Sequence, residues 1–143
     1  MKVINKFDGN YEFLSNFAGC NITDADGICY PTVENAFQAN KTLDKDERLK
    51  FTTLTAAQAK KYGKCVKLRP NWEDIKVDVM RYLLFKKFTQ PEFFELLMLT
   101  GDAELIEGNT WGDTFWGVCN GRGMNMLGSL LMEVRAVLRA ETK

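Results

Sequence analysis

The chain has 143 residues and an ordinary hydrophobic content of 45%, so its length and composition predict one globular domain over residues 1–143. Nineteen basic and nineteen acidic residues cancel, and the net charge therefore gives no general attraction to nucleic acid or to an acidic membrane surface. The sequence contains no histidine, so acid–base chemistry falls to Asp, Glu, Lys, Tyr or Cys.

Four cysteines are present, and none belongs to a Cys-x-x-Cys pair. Without histidine a zinc site would need all four thiolates at irregular spacing, so no metal is expected. The first ten residues lack the apolar segment of a signal peptide, and no apolar run approaches the ~18 residues of a membrane span. These observations predict a cytoplasmic protein with reduced thiols and no membrane partner.

Three predicted features precede the first helix. Residues 2–4 are a candidate strand, and residues 7–17, rich in aromatic side chains, are typical of an ordered loop. The pair Asp26-Gly27 is a strong turn signal between the candidate strand segments 21–22 and 28–30. The two stretches predict a short β-hairpin.

Helices dominate the remainder of the chain. Thr32 is a suitable N-cap for a helix that runs to about residue 41. Apolar spacing and end signals predict further helices at about 46–52, 55–63, 71–88, 91–99 and 124–139, a short edge strand at 104–107 and a glycine-rich loop at 108–123. The predicted fold is therefore helix-dominated with little sheet.

Glu34, Gln38 and Lys41 fall on one stripe of the first predicted helix, at about 100° per residue. One interpretation is a solvated stripe on which Glu34 complements the positive helix N-terminus. The other is the wall of a site, with Glu34 as the first candidate for acid–base chemistry. Spacing alone does not decide between them.

The segment 111–125 contains two tryptophans, one aspartate and four glycines. Glycine lets backbone N–H groups approach a ligand closely, and an adjoining helix N-terminus favours an anion, so the segment is a candidate phosphate-binding loop. Trp116 is a candidate platform for a planar ring. A structural turn anchored by buried tryptophans explains the same composition equally well.

Two residues with hydrogen-bonding side chains, Ser15 and Asn16, lie between the pair Phe13-Leu14 and Phe17. Such a strip can clamp a sugar or a base. A capped turn pinned by two core phenylalanines is the alternative interpretation.

Four stretches, in order over nearly the whole chain, resemble motifs of the NADAR family, also called YbiA-like N-glycosidases. They are Phe13-Leu14-Ser15-Asn16-Phe17; Tyr30-Pro31-Thr32-Val33-Glu34-Asn35-Ala36-Phe37-Gln38-Ala39-x-Lys41; Asn71-Trp72 followed by Val79-Met80; and Phe115-Trp116-Gly117 leading to Gly123-x-Asn125-x-Leu127-Gly128-x-Leu130-Leu131-Met132-Glu133-Val134-Arg135. The resemblance implies an α+β, YbiA-like fold and cleavage of an N-glycosidic bond. The implied substrates are the ribosylated pyrimidine phosphates of early riboflavin synthesis or ADP-ribose conjugates, including ADP-ribose on guanine.

Site residues follow from the positions of the motifs. Glu34 matches the presumed catalytic glutamate of the family, and Lys41 matches the lysine that closes the Phe-Gln-Ala-x-Lys motif. The pocket positions of the family fall on Trp72, Asp113, Trp116 and Asn125. Further candidate contacts to the substrate are Ser15, Asn16, Phe17, Gln38, Gly117, Arg122 and Gly123.

The implied chemistry suits these residue types. Breaking a C1′–N bond develops oxocarbenium character on the ribose, so one carboxylate can stabilise the cation or activate water while a second acid helps the amine depart. Glu34 and Asp113 are the candidates for these roles. Lys41 either pairs with a phosphate or carboxylate or traps the ring-opened sugar as a Schiff base. No metal or organic cofactor is expected.

One departure from the family concerns phosphate binding. Many relatives place an arginine between the asparagine and the leucine of the last motif, where this chain has Met126. Arg122 in the glycine-rich loop is the candidate replacement.

Two other functions stay open. One is removal of ADP-ribose from modified guanine, with nucleic acid as a partner only when it is the ADP-ribosylated substrate. The other is a non-catalytic sensor of ADP-ribose or an NAD-like ligand, which the two carboxylates disfavour because a pure binder has little use for acids beside an anion. The expected partner is thus a small phosphorylated ribosyl or ADP-ribosyl compound, and the oligomeric state is not set by the sequence.

Overall fold

The structure is a computed structural model that describes residues 2–142. Six short strands occur in that part of the chain: β1 (Val3–Ile4), β2 (Gly19–Thr23), β3 (Cys29–Thr32), β4 (Glu104–Leu105), β5 (Gly108–Asn109) and β6 (Val118–Cys119). The helices are α1 (Val33–Ala39), α2 (Lys45–Lys50), α3 (Ala56–Tyr62), α4 (Trp72–Phe88), α5 (Pro91–Leu99) and α6 (Met126–Glu141), with a 3-10 helix at Gly9–Leu14. Helices outweigh three two-stranded sheets, which confirms the predicted α+β class.

Contacts divide the described chain into two compact units, Asn16–Lys87 and residues 2–15 with 88–142. The prediction of one domain over residues 1–143 stays a prediction. In neither unit is any described helix both long and apolar enough to cross a membrane.

The unit Asn16–Lys87 begins with the predicted hairpin. Strands β2 and β3 are antiparallel, with the registers Gly19↔Thr32, Ile22↔Tyr30 and Thr23↔Cys29. Oδ1 of Asp24 accepts hydrogen bonds from the backbone N–H groups of Asp26 at 2.9 Å and Ile28 at 3.0 Å. A short acidic side chain that accepts from its own turn stabilises the reversal. The aspartates of this segment therefore belong to a turn.

Thr32 ends β3 and also caps α1. Its backbone is extended, and its Oγ1 accepts a hydrogen bond from the N–H of Asn35 at 3.0 Å. The cap satisfies one of the backbone donors that have no partner within the first turn of a helix. The predicted start of the helix at Thr32 is confirmed.

Local signals also set the ends of the next helices. The predicted capping box at the start of α3 is present, because Thr55 and Gln58 each accept from the other's backbone N–H. Helix α3 ends at Gly63, as predicted. Helix α4 buries Met80, Leu83 and other apolar side chains at helical spacing.

In the other unit, β1 pairs in parallel with β4, and β5 pairs in parallel with β6. The predicted apolar stripe of α6 is buried and consists of Leu127, Leu130, Leu131, Val134 and Leu138. Arg135 is buried beside this stripe, where its guanidinium donates to Thr100 Oγ1 at 2.9 Å and to Ala103 O at 2.8 Å. These bonds join α6 to the segment that leads from α5 into β4.

Two regions contain more regular structure than the sequence indicated. The segment 7–17, expected as a loop, contains the 3-10 helix, and the glycine-rich loop contains β5 and β6. Both strands have only two residues, so neither leaves a periodic signal in the sequence.

Candidate active site

Helix α1 is buried along its whole length, polar residues included. The exposed fractions of Glu34 and Gln38 are 7% and 6%, and Asn35 is fully buried. The interpretation of the Glu34 stripe as solvated is therefore wrong. A carboxylate removed from water needs hydrogen-bonding or charged neighbours, since an isolated buried charge is costly.

Gln38 supplies one of those neighbours. Its Nε2 donates a hydrogen bond to Oε1 of Glu34 at 2.9 Å, one helical turn away. At the other end of the residue, the backbone N–H of Glu34 donates to the carbonyl oxygen of Asn16 at 3.0 Å. Glu34 is thus fixed through its main chain and through its carboxylate.

Asn35, which neither spacing nor motif marked as a site residue, fixes the position of the helix. Its Nδ2 donates to the carbonyl oxygens of Phe51 and Leu54, both at 2.8 Å, and its Oδ1 accepts from the hydroxyl of Thr32 at 2.6 Å. The pattern Thr-x-x-Asn at a helix start was the available signal for the cap. The contacts with residues 51 and 54 join positions 16 and 19 residues apart, and no local signal indicates them.

Lys41 lies just after α1 and is half-buried. Desolvation lowers the pKa of its ammonium, and the charge of Glu34 acts in the opposite direction and raises it. Among more distant groups, Lys64 and Lys76 lower this pKa while Glu73 raises it. Lys41 is therefore a partly desolvated amine whose protonation is coupled to Glu34.

The backbone around Lys41 is held by Arg69. The N–H of Arg69 donates to the carbonyl oxygen of Lys41 at 2.7 Å, and its Nη1 donates to that of Asn40 at 3.5 Å. The end of α1 is consequently anchored to the segment that precedes α4.

Trp72, at the start of α4, is 4% exposed and packs against Phe37 of α1. The ring centroids are 5.0 Å apart, with an angle of 55° between the ring planes. This tilted contact is a favourable arrangement for two aromatic rings. The structure thus places Trp72 in the packing around the Glu34 helix, and its contact with a substrate stays a prediction.

The other predicted contacts of this unit precede the hairpin. Asn16 is buried, and its Nδ2 lies 3.5 Å from Met80 Sδ, while its Oδ1 has no hydrogen-bond partner among the described residues. Phe17 is 45% exposed, so the picture of two core phenylalanines pinning a turn does not apply to it. Asn16 therefore presents a buried acceptor next to an exposed ring.

In the unit formed by residues 2–15 and 88–142, Ser15 ends the 3-10 helix. Its backbone N–H donates to the carbonyl oxygen of Glu12 at 2.8 Å, and its side chain is half-buried. Its contact with a substrate stays a prediction.

Asp113 stabilises the glycine-rich segment of that unit. Its Oδ1 accepts from the backbone N–H groups of Phe115 at 3.2 Å and Trp116 at 2.9 Å. The amide of Asn109 binds both the N–H and the carbonyl oxygen of Asp113, at 3.1 and 2.9 Å. The carboxylate is therefore held in a fixed orientation, with one oxygen engaged by its own loop.

Gly117 and Gly123 are required by close backbone packing. A Cβ at Gly117 would overlap the carbonyl oxygen of Glu107 and lie 2.7 Å from Asn109 Nδ2. A Cβ at Gly123 would overlap the carbonyl oxygen of Gly117, and its φ of +147° lies in a region that disfavours side chains. These contacts favour the structural interpretation of both glycines. Their contact with a substrate stays a prediction.

Arg122 and Trp116 differ in exposure within the same segment. Arg122 is exposed and lies in a tight turn in which its backbone exchanges hydrogen bonds with Cys119, at 2.8 and 3.1 Å. Trp116 is half-buried, and its ring meets that of Phe115 edge to face, with centroids 4.8 Å apart. Arg122 thus offers a guanidinium to solvent, as a phosphate-binding residue would.

Asn125 precedes α6 with a left-handed backbone, φ 51° and ψ 42°. Its Nδ2 donates to the carbonyl oxygen of Leu105, and its Oδ1 accepts from the N–H of Glu107, both at 2.9 Å. The half-buried side chain therefore acts as a link between α6 and the end of β4, which gives its position in the motif a structural reason.

Within Asn16–Lys87 the structure thus brings together Glu34, Gln38 and Lys41, with Trp72 packed on the same helix. Within the other unit it brings Asp113, Trp116, Gly117, Gly123 and Asn125 into one segment around β5 and β6. No group of three or more Cys, Asp or Glu side chains suited to a metal ion occurs within residues 2–142.

The chain is similar to known proteins along nearly its whole length. The NADAR domain family model matches residues 4–139. N-glycosidase YbiA of Shigella boydii is 42% identical over 137 residues, covering 92% of this chain and 84% of that protein. A riboflavin biosynthesis protein of Vibrio vulnificus is 39% identical over 139 residues, covering 92% of this chain and 37% of that protein.

A solved structure extends the likeness to the fold. The NMR structure of YbiA from Escherichia coli superposes with a TM-score of 0.87 at 38% identity, covering 99% of this chain and 87% of that one. The fold is that of a small α+β enzyme. The chain belongs to the NADAR family, and the resemblance inferred from its motifs is confirmed.

Proposed function

We propose that the protein is an N-glycosidase that hydrolyses the C1′–N bond of a phosphorylated ribosyl compound, namely a ribosylaminopyrimidine phosphate of riboflavin synthesis. The enzyme class is supported by relatives of 41–42% identity that are named N-glycosidases. The substrate class is supported by relatives named riboflavin biosynthesis proteins in Vibrio vulnificus and, at 31% identity, in Zea mays.

The observation that carries the proposal is the buried Glu34 carboxylate, which accepts a hydrogen bond from Gln38 Nε2 at 2.9 Å. A fixed carboxylate in a site of low dielectric constant stabilises a developing positive charge far better than one in water. Cleavage of the C1′–N bond places such a charge on the ribose. Glu34 is accordingly assigned to stabilise the oxocarbenium ion or to take a proton from the attacking water.

The reaction adds one water across the bond. Its hydroxyl group joins C1′, and its remaining proton ends on the departing nitrogen. Asp113 is the proposed second carboxylate, which assists the departure of that nitrogen. Its fixed orientation, with Oδ1 held by two backbone N–H groups, suits a residue that must act at one defined atom.

Lys41 has two proposed roles that differ in protonation. As an ammonium ion it pairs with a phosphate or carboxylate. As a neutral amine its Nζ adds to the C1′ aldehyde of the ring-opened sugar and releases water as the imine forms, and a second water later regenerates the amine. Desolvation of Lys41 lowers its pKa and favours the neutral form, which supports the second role.

Aromatic and polar residues are the further proposed contacts with the substrate. Trp72, Trp116 and Phe17 are assigned to the planar base, and Asn16 to a hydrogen-bond donor of the substrate through its buried Oδ1. Arg122, exposed on its turn, is assigned to the phosphate in place of the arginine that many relatives have at position 126.

The cellular compartment is part of the same proposal. We infer a cytoplasmic enzyme with reduced thiols, and all four cysteines are free in the structure: Cys20, Cys29, Cys65 and Cys119. The proposed reaction uses no metal or organic cofactor.

A substrate comparison tests the function. The protein is incubated separately with ribosylaminopyrimidine phosphates and with ADP-ribosyl-guanosine, and the release of ribose 5-phosphate or ADP-ribose is measured. Release from the pyrimidine compounds is expected. Release from ADP-ribosyl-guanosine alone would move the assignment to reversal of ADP-ribosylation, and release from neither would favour a ligand sensor.

A further inference from the structure

Gly63 has no backbone reason to be glycine. It follows the last residue of α3 with φ −60° and ψ −18°, an ordinary right-handed helical conformation that any residue adopts. Many helices end on a glycine because that residue itself adopts a left-handed conformation, and Gly63 does not. The explanation must lie in the space around its Cα.

That space is taken by the side chain of Gln38. A Cβ on Gly63 would overlap Gln38 Oε1 and lie 2.8 Å from Gln38 Cδ. Carbon atoms in ordinary contact are separated by about 3.5–4.0 Å, so an alanine at this position requires the amide of Gln38 to move. Gly63 is itself buried, which leaves little room for a lateral shift.

The Gln38 amide is confined from both ends. Its Nε2 donates to Glu34 Oε1 at 2.9 Å, whereas its Oε1 is buried without a hydrogen-bond partner among the described residues. Reversing the amide would place its oxygen against the carboxylate oxygen, which is repulsive. The amide therefore keeps one orientation, with its donor toward Glu34 and its acceptor against the hydrogen atoms of Gly63.

We propose that Gly63 is a positioning residue for the active site, because it leaves the volume in which Gln38 reaches and orients the Glu34 carboxylate. The inference rests on the proposed catalytic role of Glu34. The three atoms nearest to a Cβ on Gly63 belong to Gln38 and Ala59, not to Glu34. Its effect passes through one side chain, from the end of α3 to the first turn of α1.

The consequence for catalysis is specific. With the amide displaced, Glu34 remains in place through the bond of its backbone N–H to Asn16 O, but its carboxylate loses a fixed neighbour. A misplacement of about 1 Å at a catalytic group can lower the rate about 100-fold. The loss should fall on kcat, because the remaining contacts to the substrate are untouched.

The test compares Gly63→Ala with Gly19→Ala. Gly19 is exposed in β2, its φ lies outside the left-handed region, and a Cβ there would meet nothing within 4 Å. We expect Gly63→Ala to lower kcat about 10–100-fold with KM changed less than about threefold. Gly19→Ala should match the wild type. The side-chain NH₂ signals of Gln38 in a ¹H–¹⁵N spectrum should shift only in Gly63→Ala.

The double variant isolates the path through Gln38. Gln38→Ala removes the overlap, so adding Gly63→Ala to it should have no further effect on kcat. The comparison of Gln38→Ala with the double variant can also be made if Gly63→Ala alone does not fold. The positioning role is overturned if Gln38→Ala has the wild-type kcat, or if Gly63→Ala lowers kcat equally with and without the Gln38 amide.

The result is separable from the fate of the proposed function. If Gly63→Ala shifts the Gln38 signals and kcat is unchanged, the positioning role fails while the N-glycosidase assignment stands. If Glu34→Gln retains the wild-type rate, the assignment of Glu34 fails, and with it the catalytic meaning of Gly63. The Gln38 signals would still report the steric coupling.

Discussion

Gln38 and Glu34 are joined by a hydrogen bond of 2.9 Å within a helix that is buried on every side. Polar pairs one turn apart are common on exposed helix faces, where each contributes only about 0.2–0.5 kcal/mol. Here both side chains are buried, so the hydrogen bond from Gln38 fixes the orientation of a carboxylate that has little contact with water.

Glu34→Gln should lower hydrolysis about 100- to 10,000-fold, because the variant cannot carry the negative charge or accept the proton. Its amide oxygen can still accept from Gln38 Nε2, so folding should be preserved. The measurements are the single-turnover rate and the rise in melting temperature on adding substrate. A wild-type rate in a folded variant would contradict the catalytic assignment.

Lys41→Ala should abolish a borohydride-trapped adduct if the amine forms an imine with the ring-opened sugar. The wild-type protein, mixed with substrate and sodium borohydride, should gain the mass of the reduced sugar phosphate. Lys45→Ala serves as the control, since it removes an exposed lysine that is not among the charges acting on Lys41. Equal trapping in wild type and Lys41→Ala would exclude this role.

Stability should depend on pH through Lys41. Burial lowers the pKa of Lys41 in the folded protein, so between that pKa and the ordinary value near 10.5 the unfolded chain binds more protons. The free energy of unfolding therefore gains a contribution that rises with pH across this window. Lys41→Met removes it.

The comparison of these two proteins gives the measurement. Lys41→Met should be more stable than the wild type near neutral pH, and the difference should shrink as the pH rises toward 10.5. Urea unfolding at several pH values checks this. A difference that grows with pH would show that the lysine is stabilised as a cation.

Asp113→Asn and Asp113→Ala separate the two roles of this residue. Asparagine keeps an Oδ1 that can accept from Phe115 and Trp116, whereas alanine removes the acceptor of both bonds. We expect Asp113→Ala to lose about 1–3 kcal/mol of stability and Asp113→Asn less than about 1 kcal/mol. Both should lose hydrolysis if the carboxylate assists the leaving group. Full activity in Asp113→Asn would leave Asp113 with a structural role alone.

Asn35→Ala should be among the most destabilising single changes in its unit. It leaves the carbonyl oxygens of Phe51 and Leu54 without the amide that now binds them, at a cost of about 1–3 kcal/mol for the buried contact with Phe51 and less for the part-buried one with Leu54. Asn40→Ala is the matched control. Its Nδ2 bonds to Ala36 O, which also accepts from a backbone N–H, so a loss below about 1 kcal/mol is expected. Chemical denaturation of both variants measures the two losses in the free energy of unfolding.

Much of the fold followed from signals that act over a few residues. The Thr55 and Gln58 capping box, the Asp26-Gly27 turn and the cap at Thr32 are each specified within four positions, and the structure contains all three. Such features depend on backbone bonds between near neighbours, so composition and spacing are enough to predict them.

The burial of α1 did not follow from spacing. A stripe of Glu, Gln and Lys is typical of a solvated helix face, and the partners that make its burial tolerable are distant in sequence. Asn35 bonds to residues 16 and 19 positions away, and Gln38 contacts Gly63, 25 positions away. The family motifs identified Glu34, Gln38 and Lys41, but not Arg69 and Gly63, which contact Lys41 and Gln38 from outside those motifs.

Because Thr32 belongs to both elements, the position of the β2–β3 hairpin affects the direction in which Glu34 points from α1. Because the last residue of β3 is also the N-cap of α1, the strand register determines which residue begins the helix. One residue inserted at this junction would rotate Glu34 by about 100° and advance it by about 1.5 Å along the axis. The junction between Thr32 and Val33 should therefore accept substitutions more readily than any change in length.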